Sequence, residues 1–229
     1  MVLNKLSITA LMPMKGESER VPKKNLKDFA GKPLFHRVMN TLLESKLIDN
    51  VVVNTDCQII KEDIKKNFDN VLIRDRKNHL QGNYVSMNKI IEDDINNFHS
   101  DIFIQTHSTN PLISTETIDK ALTKMINNFK SLDYDSIFSV TKVQKRFYDE
   151  NCLPYNHDPK MLVTQHLKPL YEENSCFYIF TKKSFFTNNS RIGLKPIMFQ
   201  INKNESYDID DISDFFLAET LFKSINNLL

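Results

Sequence analysis

The chain has 229 residues, 41% of them hydrophobic, and its 30 basic and 29 acidic residues leave a formal net charge of +1. That length and apolar content suit one globular domain with a substantial core, and interspersed charges of both signs offer no footprint to nucleic acid or to an anionic membrane. The expected partners are small molecules and a second copy of the chain. The early apolar run, residues 8–14, is too short to span a bilayer and no small-residue cleavage site follows it. Cys57, Cys152 and Cys176 match neither a disulfide framework nor a metal-ligand spacing, which fits a reducing cytoplasm.

Residues 8–12 read as a buried strand broken by Pro13, and a polar stretch, residues 15–28, follows as a long loop. Gly31, Lys32 and Pro33 then punctuate the chain before Leu34, Val38 and Leu42 recur at helical spacing, with Pro33 suited to a first helical turn. Val51, Val52 and Val53 form a second strand, Asp56 is placed to cap a helix through Ile60 and Ile64, and Val71, Leu72 and Ile73 form a third strand. A helix is expected after Ser86, a strand at Ile102, Phe103 and Ile104, and a helix through Ile118, Leu122, Met125 and Phe129 capped near Ser114 or Thr115. This alternation implies a parallel sheet covered on both faces. It fails over residues 141–170, which read as an insertion, and strand character resumes at residues 176–180 and 197–199. Ile212, Phe215, Phe216, Leu221, Phe222 and Ile225 outline a closing amphipathic helix.

In an open parallel sheet ligands bind beyond the carboxyl ends of the strands, so the first loop is the place to look. Residues 13–25 carry Lys15, Arg20, Lys23 and Lys24 with Gly16 and Ser18 directly after the first strand. Cations, backbone N–H groups exposed by a flexible glycine, and a hydroxyl are what a triphosphate needs, although an ordinary solvated loop has the same composition. No Walker-type lysine and no dinucleotide fingerprint is present. Late in the chain, Asp208 and Asp210 alternate along an extended segment, so both point to one side, where two carboxylates can hold a hard cation with water and phosphate oxygens. Asp211 and Asp214 suit the positive end of the last helix.

Pro13, Gly16, Ser18, Pro22, Lys24, Asn25 and Gly31-Lys32-Pro33-Leu34 stand in register with the opening loop of the acylneuraminate cytidylyltransferase family, which the chain resembles over nearly its whole length. The resemblance implies a doubly wound, mostly parallel α/β sheet of the Rossmann-like nucleotidyltransferase kind, CTP and a sugar as substrates, and Mg2+ as cofactor. It implies that Pro13, Met14, Lys15, Gly16, Ser18, Lys24 and Asn25 hold the nucleotide, that Arg76 and Ser86 contact it, and that Gln105 and Asn174 face the sugar. The segment containing Asp208, Ile209 and Asp210 resembles the family's metal site, so Lys15, Lys24, Asp208 and Asp210 are the expected catalytic residues. The region of residues 141–170 reaches a second subunit in that family, implying a homodimer. His107 is additional to the family pattern. Three loop positions depart from it: Lys15 replaces an arginine, and Glu17 and Glu19 replace a glycine and a lysine. The two arginines associated with acidic sugars are replaced by Ile113 and Thr164, with Lys142, Lys145, Arg146 and Lys168 as substitutes to consider. Sialic, legionaminic, pseudaminic and 3-deoxy-octulosonic acids are candidate acceptors by this resemblance, and a transferase for a non-acidic acceptor or a catalytically silent CTP-binding subunit are the alternatives.

Overall fold

The computed structural model describes residues 5–129, 131, 133–160 and 163–227. In chain order the elements are β1 (Ile8–Leu11), a hairpin of β2 (Asp28–Phe29) and β3 (Lys32–Pro33), α1 (Phe35–Glu44), β4 (Asn50–Thr55), α2 (Gln58–Asn67), β5 (Val71–Asp75) and α3 (Met87–Asn97). There follow β6 (Ile102–Thr106), α4 (Thr115–Asn128), β7 (Ser136–Val143), β8 (Leu170–Phe180), α5 (Lys182–Asn188), β9 (Pro196–Gln200) and α6 (Ile212–Ile225). Seven strands pair in the order β5-β4-β1-β6-β8-β7-β9, and among the described residues only β8 runs against its neighbours. Strand alternation sorts the side chains onto two faces. Ile8, Ala10 and Met12 pack with residues of α1, α2 and α4, whereas Leu11, Val52 and Phe103 pack with Ile91 and Ile95 of α3 and Phe185 of α5. Both faces are therefore covered, which explains the unbroken apolar runs of β1, β4 and β6 and agrees with the doubly wound, mostly parallel α/β expectation.

Four local readings of the sequence are corrected. Pro33 lies in β3, not in a helical turn, and α1 begins two residues later. The turn between β2 and β3 places Ala30 and Gly31 at φ 52° and 85°, the left-handed pair that a tight hairpin requires. Asp56 does not cap α2: Cys57 occupies that position without a side-chain bond, and the Asp56 carboxylate accepts instead from the Gly16 N–H at 3.0 Å. Residues 136–143 form β7, a strand absent from the sequence reading, because its partners lie far along the chain in β8 and β9. The stretch read as an insertion accordingly begins inside β7 and ends at the start of β8. Its residues 161 and 162 lie outside the described residues.

The helix α6 also departs from the amphipathic expectation. Its apolar residues do not share one covered face: Phe215 and Ala218 are buried, while Ile212, Phe216, Leu217 and Ile225 are exposed. The buried side docks on the hairpin, with Phe29 edge-on to Phe215 and to Phe222 at 5.5 Å each. Arg37 ties the joint, donating to the carbonyls of Phe29 and Ala30 at 2.7 and 2.8 Å while lying 4.3 Å from the Phe222 ring. Glu219 accepts from the Ala30 N–H at 2.7 Å, and Asp211 with Asp214 forms a reciprocal capping box at the helix entrance. Phe215→Ala should lower the unfolding free energy by about 3–5 kcal/mol. Phe216→Ala, at a side chain 60% exposed, should change it by less than about 0.5 kcal/mol. Urea denaturation of the two variants measures both, and equal losses would contradict this packing.

Candidate active site

β4 lies on one side of β1 and β6 on the other, so chain order reverses at β1, and the crevice beyond its carboxyl end is where such a sheet accepts a ligand. The segment leaving β1 follows β4 into that crevice, with Met12 N and Met14 N donating to the carbonyls of Val52 and Asn54 at 2.9 Å each. Val21 is buried and anchors the far end of the loop, and a 3-10 turn at Lys24–Leu26 carries it toward the hairpin. The loop lines a cavity of about 300 Å³ with Pro13, Met14, Lys15, Glu17, Ser18, Glu19, Arg20, Lys24 and Asn25. Arg76, Gly82, Asn83, Val85, Met87, Ile90, His107, Ser108 and Thr109 complete the lining.

Arg76 is buried, and its guanidinium donates to the Asn54 side chain at 3.0 Å and to the backbone carbonyls of Met14 and Asn54 at 3.0 and 2.8 Å. It therefore fixes the start of the loop against the end of β4. Asn25 spans the loop from within, donating to the Lys15 carbonyl at 2.9 Å and accepting from Ser108 at 2.7 Å. Gly16 supplies close approach, not a free N–H: a Cβ there would lie 2.7 Å from that of Cys57, and its N–H is bound to Asp56. Lys15 donates to Asn83 at 2.7 Å, and Asn83 in turn donates to Glu19.

Segments from opposite ends of the chain meet here. Lys24 Nζ donates to the carbonyl of Ile209, whose side chain is buried with Phe29 and Phe215, and Arg20 pairs with Asp210 at 2.5 Å. Burial lowers the Lys24 pKa, and the charges of Asp208 and Asp210 only partly offset that. The Asp208 carboxyl is shifted upward, chiefly by burial, against a hydrogen bond from Thr109 and with Asp210 adding to the rise. Its Oδ1 is sealed from solvent and has no hydrogen-bond partner among the described residues. An orphaned carboxylate oxygen beside a second, exposed carboxylate fits a magnesium ion, which takes one or two carboxylates and completes its shell with water and phosphate oxygens. No group of three His, Cys, Asp or Glu side chains that could hold a metal gathers among the described residues.

Other expected contacts are arranged differently. Ser86 is exposed and caps α3 by accepting from Asn88 N at 3.3 Å, while its neighbours Val85 and Met87 line the cavity. Asn174 is buried in β8 with its amide donating to Thr141 at 2.9 Å. Gln105 is fully buried; its amide donates to the Thr106 carbonyl at 2.7 Å and accepts from Arg191 at 2.5 Å. The sequence reading missed Arg191, because it lies in an irregular segment with no motif around it. The pairing of Arg20 with Asp210 is likewise not legible in the loop's sequence, because its partner lies 190 residues away.

A family model described as Cytidylyltransferase matches residues 9–228. The chain belongs to the cytidylyltransferase family. A pseudaminic acid cytidylyltransferase of Campylobacter jejuni is 28% identical over 93% of this chain and 95% of that protein. An N-acylneuraminate cytidylyltransferase of Streptococcus agalactiae serotype III is 25% identical over 90% of the chain, which spans 51% of that longer protein. A solved CMP:2-keto-3-deoxy-manno-octonic acid synthetase complexed with CTP aligns with a TM-score of 0.70 at 13% identity, covering 96% of this cytidylyltransferase and 99% of that chain, and so shares its fold.

His107, in the cavity lining, has its pKa pushed down to about 4, first by burial and then by the charges of Arg191 and Lys24. The unfolded chain takes up that proton near pH 6.5. Between these values the unfolded state binds more protons, so stability should fall as pH drops from about 6.5 to 4. The His107 ring followed by proton–nitrogen NMR should titrate near 4, and His107→Asn should flatten the loss of stability across that window. A midpoint above 6 would show that the ring is open to solvent.

Proposed function

We infer that this chain transfers a cytidylyl group from CTP to a hydroxyl of a sugar acid and releases pyrophosphate. The observation that carries the reading is the meeting of Lys24 with the Asp208–Asp210 segment beside the loop cavity. The names of the relatives support CTP as donor and a nonulosonic or related sugar acid as acceptor. The acceptor oxygen bonds to the α-phosphorus, the bond from that phosphorus to the bridging oxygen of the β-phosphate breaks, the hydroxyl proton is released, and pyrophosphate leaves. Little covalent work falls to the protein, so positioning and charge dominate.

Lys15 and Lys24 neutralise the triphosphate, with the loop backbone around Met14, Gly16 and Ser18 shaping its seat. Asp208 and Asp210 are the residues that would hold magnesium, which when bound supplies positive charge against the phosphate oxygens. Arg20 is paired with Asp210. Both side chains of that pair are more than half exposed, so its contribution is under about 1 kcal/mol and another cation displaces it at small cost.

The same reading makes the chain a homodimer of one-domain subunits, with residues 141–170 at the interface. A groove lined by Thr141, Val143, Phe147, Leu170 and Tyr171, with exposed Tyr148, Leu153 and Tyr155 in the stretch beyond, supports that assignment. The three free cysteines accord with a cytoplasmic setting. No helix among the described residues is long and apolar enough to cross a membrane.

Pyrophosphate release by the purified protein with CTP, magnesium and a panel of sugar acids tests the reading, with ATP, GTP and UTP as controls. Asp210→Ala should lower kcat by at least about 100-fold with the melting temperature preserved. Full activity of that variant would remove Asp210 from the mechanism, and absence of pyrophosphate release with every acceptor would overturn the reaction assigned here.

A further inference from the structure

Arg191 lies between α5 and β9 in a segment held at several points. Gly193 N donates to Ser136 at 2.8 Å, Leu194 N and Lys195 N donate to Asp135 at 2.8 and 3.1 Å, and the Asn188 amide donates to the Ile192 carbonyl at 2.8 Å. Gly193 sits so close to Asp135 that a Cβ would meet its Oδ1 at 2.3 Å. The arginine is thus presented from a fixed backbone, as a recognition residue must be.

Its guanidinium carbon lies 4.1 Å from the Tyr178 ring centroid, Nε donates to Asn88 at 3.2 Å, and Nη1 donates to Gln105 at 2.5 Å. The same Nη1 is 3.5 Å from His107 Nε2. Every one of these partners is neutral, and among the described residues no carboxylate comes within 4.0 Å of the guanidinium. Glu173 is reached only through the Tyr178 hydroxyl, which donates to it. Burial disfavours the charge of Arg191, and Tyr178 and Glu173 only partly offset this. A partly desolvated cation among neutral acceptors lacks the counter-charge that such groups normally have. Nη2 makes no hydrogen bond to the described residues, yet it is not among the atoms sealed from solvent.

The location suits an acceptor subsite. Arg191 adjoins the carboxyl end of β6, touches His107 of the cavity lining, and is bonded to the residue after Met87, another lining residue. Neither position where the resemblance led to an expectation of arginine supplies a cation: Ile113 is apolar and buried in the core, and Thr164 is neutral. We propose that Arg191 receives the carboxylate of the acceptor through its Nη1 and Nη2 fork, with Gln105 as the residue that positions it, so that Arg191 sets the preference for a sugar acid over a neutral sugar. A planar fork matches a carboxylate bidentately, which a lysine does not.

This inference rests on the cytidylyltransferase reading, and two measurements separate their failures. Calorimetric binding of pseudaminic, N-acetylneuraminic and 3-deoxy-manno-octulosonic acids to the full chain, with a non-transferable CTP analogue and magnesium present, needs no turnover. The acid that binds should weaken by about 10-fold or more in Arg191→Gln, with analogue affinity unchanged. The methyl ester of the same acid should bind wild type and variant alike, and Arg191→Lys should recover only part of the loss. A residue that merely supports Gln105 would weaken acid and ester together, which would overturn the proposal, as would failure of all three acids to bind wild type. Arg191-dependent binding of an acid without pyrophosphate release would leave the proposal standing and remove the reaction.

Discussion

The hydrogen bond from the Lys24 ammonium to the Ile209 carbonyl joins segments 185 residues apart, and the arrangement of the candidate site follows from that contact. A flexible lysine in a solvated loop would hold no such position by itself. The 3-10 turn that carries Lys24 leads directly into the β2–β3 hairpin, and the hairpin is the surface on which α6 docks. Ile209, buried with Phe29 and Phe215, plants the segment before α6. Asp208 and Asp210 flank that anchor, one largely enclosed and the other exposed, so two like residues acquire different environments from one packing event.

A second constraint holds the loop's other end. Asp94 is buried and accepts from the Asn54 amide at 2.7 Å; Asn54 in turn accepts from Arg76, and Arg76 reaches the Met14 carbonyl. Burial pushes the Asp94 carboxyl up to about 6. An unsatisfied buried polar group costs about 1–3 kcal/mol, so a chain of such groups that is nearly all paired specifies one loop position more strictly than apolar packing does. Arg76 thus lines the cavity while its hydrogen bonds shape the backbone around it. Its charge is available to a nucleotide, but its geometry serves β1 and β4.

Electrostatics divides the cleft in two. Arg20 and Lys24 face the two late carboxylates on one side, where opposite charges are already close and a ligand must exchange partners. Arg191 stands on the other side among Tyr178, Gln105, Asn88 and His107, where no carboxylate is in contact and Glu173 only partly offsets its burial. His107 lies between the two, its pKa held low first by burial and then by the cations on either side. The phosphate side is therefore paired internally and the Arg191 side only partly so, which is the physical basis for placing an anionic acceptor there.

The sequence by itself determined the α/β class, because runs such as Val51, Val52 and Val53 alternating with helical spacing admit few other packings. It also determined where chemistry gathers, since a lysine-bearing loop after β1 and paired aspartates before the last helix are local patterns with direct chemical meaning. Family resemblance added the nucleotide, and the family match agrees. Tertiary structure alone decided the rest. The strand β7 exists because β8 and β9 pair with it, and α6 left Phe216 in solvent because the hairpin offers only enough surface for Phe215, Ala218 and Phe222. Asp56 turned toward Gly16, and Gln105 toward Arg191, for the same reason: a side chain's partner is set by which segment packs against it. Arg191 was invisible to sequence reading because an arginine's role depends on what surrounds its guanidinium, and its surroundings come from β6, α3 and β8.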